Sequence, residues 1–225
     1  MEIKFIEYAV IVVFALLPIA NPFSTAPSFI SLTQGYSTSE KVLLAKKACI
    51  YMALILLVFL IAGSLLMTFF GITINSLRVA GGLIILFIGF RMLFPEKEQV
   101  VSVDQTSNSN NADDIALVPI ALPMLSGPGA ISVVIGMSAE ISAREAGFER
   151  VIGYCIVGVG IILTSLICFI VLRMSTRVVD YFGENGISAF TRIMGFFLIC
   201  IGVEFLLGGM EGVVLRLTSL SDINA

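Results

Sequence analysis

Two short runs hold the residues that could bind a small molecule. Pro18-Ile19-Ala20-Asn21-Pro22-Phe23-Ser24-Thr25-Ala26-Pro27 aligns without a gap on Pro119-Ile120-Ala121-Leu122-Pro123-Met124-Leu125-Ser126-Gly127-Pro128. Proline has no amide hydrogen and clashes with the preceding turn, so each run is expected to unwind an apolar helix, near Asn21 to Pro27 and from Pro119 to Pro128. Pro22 and Pro27 deprive the carbonyls of Pro18 and Phe23 of their helical donors; Pro123 and Pro128 do the same to Pro119 and Met124. A helix restarting at Pro27 and another at Pro128 would expose amides around Ser28, Phe29, Gly129 and Ala130. Such amides favour a carboxylate, and the orphan carbonyls favour an ammonium or a small cation.

The side chains add neutral hydrogen-bonding groups. Asn21, Ser24 and Thr25 stand on one side with Pro22 and Ser28; Ser126 stands on the other with Pro123, Pro128 and Ala130, while Gly127 and Gly129 admit a ligand close to the backbone. Neither run contains a formal charge. Donors and acceptors without net charge suit a zwitterion, which points to a neutral amino acid. The competing reading is that the prolines are packing kinks and the small residues allow close helix approach. Two matching interruptions favour the ligand reading, because paired broken spans mark the binding sites of many transporters.

The elements that must position these runs are membrane spans. The 225 residues are 58% hydrophobic and 13% charged, with a mean hydropathy of +1.04, far from the balance of a water-soluble domain. A crossing needs about 20 mostly apolar residues. Six stretches approach that length: Phe5 to Ile30, Ala48 to Phe70, Leu77 to Phe94, Ile115 to Met137, Val151 to Leu172 and Ile187 to Leu207. The opening stretch has no basic n-region or small-residue cleavage site and reads as a retained span. The expected fold is an all-α integral membrane protein whose first and fourth spans are broken at prolines.

Residues 95–114 are polar, rich in Asn and Ser, and read as a linker between two units, 1–94 and 115–209, with a C-terminal tail at 210–225. Arg78-Val79-Ala80-Gly81 also matches Arg192-Ile193-Met194-Gly195, each opening the third span of its unit. Three crossings per unit oblige the second to enter from the opposite side, giving two inverted three-helix repeats. Lys41, Lys46, Lys47, Arg91, Lys97, Arg173, Arg177 and Arg192 then fall on one side, and Lys4, Arg78, Arg144, Arg150 and Arg216 on the other. The excess places both termini in the periplasm.

Other classes find little support. There is no His, no nucleophile with a general base, no paired metal-ligand spacing and no phosphate loop, so neither catalysis nor a cofactor is expected. Thirteen Lys and Arg against 16 Asp and Glu leave no basic surface for nucleic acid. Cys49, Cys155, Cys168 and Cys200 lie in apolar stretches and read as small buried residues. Glu204 is the one carboxylate expected well inside a span and could couple transport to a proton; Arg91 could join it or snorkel to the interface. Orphan carbonyls could hold Na+ instead, so the coupling ion stays open between H+ and Na+.

LLPIANPFSTAPSF with VPIALPMLSGPGAI, LRVAGGLIILFIGFRMLFP and TRIMGFFLICIGVEF resembles the MarC family of bacterial inner-membrane proteins, also described as small neutral amino acid transporters. The similarity covers essentially all six spans, and GGLIILFIGFRMLFP resembles the MarC branch itself. The resemblance implies transport of glycine, alanine or similar amino acids, with proton-gradient coupling described for archaeal relatives. Many relatives carry Asp-Pro at the first break, whereas this chain has Asn21-Pro22 and so lacks a carboxylate that could hold a cation. Beside secondary transport stand a passive channel or metabolite exporter and a non-transporting membrane scaffold.

Overall fold

The computed structural model describes residues 2–94, 120–121, 124–143 and 147–223. The polar linker and Pro123 lie outside them. The elements are α1 (Glu2–Ala20), α2 (Pro22–Leu32), α3 (Thr38–Phe70), α4 (Ile74–Leu93), α5 (Pro128–Ser142), α6 (Phe148–Arg173) and α7 (Ser175–Ile223), with no strand among the described residues. Four stretches are long and apolar enough to cross a bilayer alone: Thr38–Phe70, Ile74–Leu93, Phe148–Arg173 and Asn185–Gly212. Phe5–Ala20 and Pro22–Leu32 join at a 46° bend and make a fifth crossing if taken together. Where a sixth span is expected, the described helix is α5, only 15 residues long, or about 22 Å at 1.5 Å per residue.

Local chemistry sets the boundaries. Ser37 and Glu40 form a reciprocal capping box, so α3 begins well before its apolar run at Ala48 and, at 33 residues, outreaches the hydrocarbon core of about 30 Å. Gly71, in the left-handed region at φ 65°, ends it, a conformation that costs glycine nothing. Thr73 then accepts from the Ser76 amide and starts α4. Gly183 interrupts α7 with φ 62° and ψ 175°, ahead of the span expected from Ile187, and the helix runs on through the expected tail to Ile223.

The partners of the helices in 1–94 lie chiefly in the second half of the chain. α1 packs on α6, α3 on both α5 and α6, α4 on α7 and α5, and α2 on α7 and α6. α4 and α7 make the broadest contact, and it is backbone to backbone. A Cβ on Gly82 would stand 2.8 Å from the Gly202 carbonyl oxygen, and one on Gly89 would stand 2.9 Å from that of Gly195. The reverse distances are 2.9 Å from Gly202 to Gly82 and 2.8 Å from Gly195 to Gly89. Pairing 82 with 202 and 89 with 195 makes the two helices antiparallel, with glycines seven residues apart on each. Close approach through small residues is a common route to helix association in lipid, where tails compete equally for apolar side chains.

The cysteines divide. Cys49 and Cys168 are buried as expected, but Cys155 and Cys200 are exposed. On the outer face of a membrane helix a small apolar residue is as well placed as in the core, so an apolar surrounding stretch does not decide burial.

Candidate functional site

The first break occupies one residue. Asn21 adopts φ 31° and ψ 69°, the only positive φ outside glycine among the described residues, and absorbs the bend between α1 and α2. Asparagine tolerates this region because its short amide can bond locally. Its Oδ1 accepts from the Ser24 amide at 3.4 Å, while the Ser24 and Thr25 hydroxyls each donate to the Asn21 carbonyl at 3.2 Å. Those two hydroxyls keep their lone pairs but spend their protons on the cap.

Helix therefore resumes at Pro22 and not at Pro27, which corrects the sequence expectation. Pro22 takes the first helical position, where its missing amide hydrogen costs nothing. Pro27 sits inside α2 and forfeits one bond, to the Phe23 carbonyl. One left-handed residue provides the whole turn, so no further unwinding is required. The amides of Ser28 and Phe29 thus lie within the helix, and Ser28 is half-buried away from its start.

The second break takes another form. Ile120, Ala121, Met124 and Leu125 are wound as π-helix, and the Ser126 amide donates to the Ala121 carbonyl five residues back at 2.9 Å. Such wide turns recur at functional sites. Gly127 is extended, at φ −59° and ψ 171°, and α5 starts at Pro128 as expected. Gly127 has no capping side chain, so the first amides of α5, those of Gly129 and Ala130, face no side-chain acceptor.

The two breaks are brought together. A Cβ on Gly129 would stand 3.2 Å from Ile19 Cγ2 and 3.0 Å from Ile88 Cδ1, which seats the start of α5 on the last turn of α1 and on α4. Asn21 (4% exposed), Thr25 (5%), Ser126 (1%) and Ala130 (0%) are all buried, and Pro22 and Gly129 with them. Ser24 and Gly127 are half-buried, and Pro128 is exposed. Asn21 Nδ2 and Ser126 Oγ, one from each break, are buried with no hydrogen-bonding partner. A buried polar atom left unsatisfied costs about 1–3 kcal/mol, so such atoms in pairs call for an explanation.

The charged candidates lie elsewhere. Glu204 is exposed on α7 and Arg91 is exposed near the end of α4. In the antiparallel register Glu204 falls beside the Gly82–Gly202 contact and Arg91 beyond the Gly89–Gly195 contact, about three helix turns apart along the pair. The residue that sequence reasoning missed is Glu140, in the last turn of α5, which forms an ion pair with Arg78 of α4. Its signal was present: a lone carboxylate at the end of an apolar helix, in a chain whose third span opens on an arginine. Ser165, buried in α6 with an unpartnered Oγ, was also overlooked. Among the described residues no group of His, Cys, Asp and Glu could hold a metal ion. A cavity of about 460 Å³ lies away from the breaks, between α1, the end of α5 and the start of α6, walled in part by Tyr8, Met137, Glu140, Ile141 and Glu149.

Residues 6–214 match the family model described as MarC family integral membrane protein. The chain is 37% identical over 211 residues to proteins named "UPF0056 inner membrane protein MarC" from Escherichia coli O1:K1 / APEC, Escherichia coli strain UTI89 / UPEC and Escherichia coli strain K12. The matches cover 88% of this chain and 92% of each relative. No solved structure matches the chain significantly.

Proposed function

The chain belongs to the MarC family of integral membrane proteins, and from that premise we propose that it is a secondary transporter of small neutral amino acids of the glycine and alanine kind. One observation carries the reading: Asn21 Nδ2 and Ser126 Oγ are buried without partners at two helix breaks that abut through Ile19 and Gly129. A zwitterion placed there would take its carboxylate to Asn21 Nδ2, Ser126 Oγ and the Gly129 and Ala130 amides. Its ammonium would face the Pro18 and Phe23 carbonyls, which the prolines leave without donors. Pro22, Pro128 and Gly127 shape the backbone around it, with Ser24, Thr25 and Ser28 alongside.

Asn21, Thr25, Ser126 and Ala130 are buried, so a substrate reaches them only if helices move. Alternating access supplies that movement. Inverted repeats at 1–94 and 115–209 are the supporting architecture: exchanging the two halves turns the α2–α6 contact into the α5–α3 contact and the α2–α7 contact into the α5–α4 contact, and leaves α3–α6 and α4–α7 each paired with itself. The antiparallel glycine contacts of α4 and α7 support the same reading. Six crossings follow from it, with both termini in the periplasm. The relatives are named inner membrane proteins, and this chain is assigned there too. Coupling to H+ or Na+ completes the proposal, with Glu204 and Arg91 as the charged residues to test; their exposure argues for a lesser role than the breaks.

Uptake of labelled glycine and alanine into proteoliposomes under imposed proton or sodium gradients tests the proposal. Saturable uptake with counterflow is the expected result. Linear, non-saturating flux would replace the transporter by a channel or exporter, and no flux of any amino acid would leave a membrane scaffold.

A further inference from the structure

The last turn of α5 is tied to three other helices, and the ties are of different kinds. Glu140 pairs with Arg78 of α4. Ser138, fully buried, accepts from the Ser64 amide of α3 at 3.3 Å. Ser142 exchanges a hydrogen bond with Tyr154 of α6 at 2.7 Å, and its carbonyl accepts from Arg150 of the same helix at 2.8 Å. Gly63 permits the α3 contact, since a Cβ there would stand 3.1 Å from Ser138 Cβ. No side chain interposes, and the serine reaches the neighbouring backbone.

The other end of α5 is the second break. A short helix that begins at the binding residues and ends in a polar clamp is a lever, with the clamp at its free end. Beside that end lies the cavity of about 460 Å³, with Met137, Glu140 and Ile141 on its wall, so the last turn has room to swing away from α3 and α4. Hydrogen bonds suit a catch better than apolar contact, because they are directional and weaken steeply when misaligned, and a partly exposed ion pair exchanges its partner for water at little net cost. At a membrane interface, released groups find water or headgroups on the open side, which keeps the open state accessible.

We propose that the Arg78–Glu140 pair and the Ser138 and Ser142 contacts form the gate that closes the α5 side of the binding site, and that their release opens a path to Ser126. This rests on the transporter reading of the breaks. Of the ties, the ion pair is the one that joins the two halves through side chains alone, so it is the one a substitution removes most cleanly.

The test uses the full chain with Cys49, Cys155, Cys168 and Cys200 replaced by Ala and with Ser126→Cys as a reporter, in detergent micelles where both faces are accessible. The rate at which a charged, water-soluble thiol reagent modifies position 126 is measured. Glu140→Gln, Arg78→Gln and Tyr154→Phe are each expected to raise that rate severalfold while the protein elutes as the parent does in size-exclusion chromatography. The exchanged pair Arg78→Glu with Glu140→Arg should return it toward the parent value. Rates equal to the parent in all three single variants overturn the gate, as does an exchanged pair that labels as fast as the ion-pair variants. Uptake by the native chain without any labelling response removes the gate alone; a labelling response in a chain that takes up no amino acid removes the substrate assignment and leaves the gate standing.

Discussion

Gly129 at the start of α5 packs directly against Ile19 at the end of α1, so the residue that begins the second half-helix touches the turn that precedes the first break. Space there is tight, because a Cβ would lie 3.2 Å from Ile19 Cγ2 and 3.0 Å from Ile88 Cδ1. Ile88 Cδ1 is the far end of its side chain and can turn aside, while Ile19 Cγ2, on a β-branched carbon, must give by a few tenths of an ångström. Gly129→Ala is therefore expected to fold with a loss of no more than about 1–2 kcal/mol, whereas Gly129→Val should part α5 from α1 and abolish binding. Thermal unfolding in detergent, with and without saturating glycine, checks both: the alanine variant should keep a ligand-induced rise in Tm and the valine variant should lose it.

Asn21 does two jobs that substitution can separate. Its left-handed backbone makes the 46° bend, and its Nδ2 is the unpartnered donor. Asn21→Gly suits the backbone and gives up the cap at a cost of a few tenths of a kcal/mol. Asn21→Ala loses the cap, about 1 kcal/mol, and strains the left-handed residue by about 1–2 kcal/mol more. Stability is expected to fall in the order Asn, Gly, Ala, while amino acid binding falls in both variants alike. Binding that survives in Asn21→Gly would assign the residue to the bend only.

The fold was legible in outline and the site in part, and the differences have physical causes. Proline spacing pointed to the bend at Asn21 and to the helix start at Pro128, but it could not tell that one left-handed Asn21 makes the first turn, which leaves Pro27 inside a helix, or that Ile120, Ala121, Met124 and Leu125 are wound as π-helix. Hydropathy located four apolar spans, and a fifth where α1 and α2 join, and missed the first turns of α3, because a capping box at Ser37 and Glu40 extends helix into a polar segment. Charge spacing singled out Glu204 and Arg91, both of which turn out exposed, and passed over Glu140, whose partner Arg78 is 62 residues away. A pair so distant in sequence has no local periodicity to betray it.

Ser126→Ala should show the trade between stability and function directly. The hydroxyl is buried and unpartnered, so its removal relieves a desolvation cost of about 1–3 kcal/mol instead of breaking a bond. The variant is expected to be at least as stable as the parent without ligand and to bind glycine about tenfold more weakly, as for one lost hydrogen bond of about 1.4 kcal/mol. Isothermal titration in detergent beside unfolding curves gives both quantities. A destabilised variant with unchanged affinity would show that Ser126 serves the fold.

The α4–α7 seam predicts a contrast within a single helix. At Gly202 a Cβ would stand 2.9 Å from the Gly82 carbonyl oxygen, a backbone atom that cannot rotate aside, whereas at Gly208 the nearest atom is Arg78 Nη1 at 3.8 Å. Alanine raises helix propensity by about 1 kcal/mol over glycine at either position. At Gly208 that gain is unopposed, so Gly208→Ala should be neutral or slightly stabilising. At Gly202 the clash forces the helices apart at a cost of about 1–3 kcal/mol, which exceeds the gain. Gly82→Ala should cost a similar amount, and the double variant Gly82→Ala with Gly202→Ala should cost less than the sum, because helices already parted by one methyl accommodate the second. Unfolding midpoints for the three single variants and the double decide the matter: strict additivity, or a Gly208→Ala penalty equal to that of Gly202→Ala, would mean that the two helices do not meet backbone to backbone.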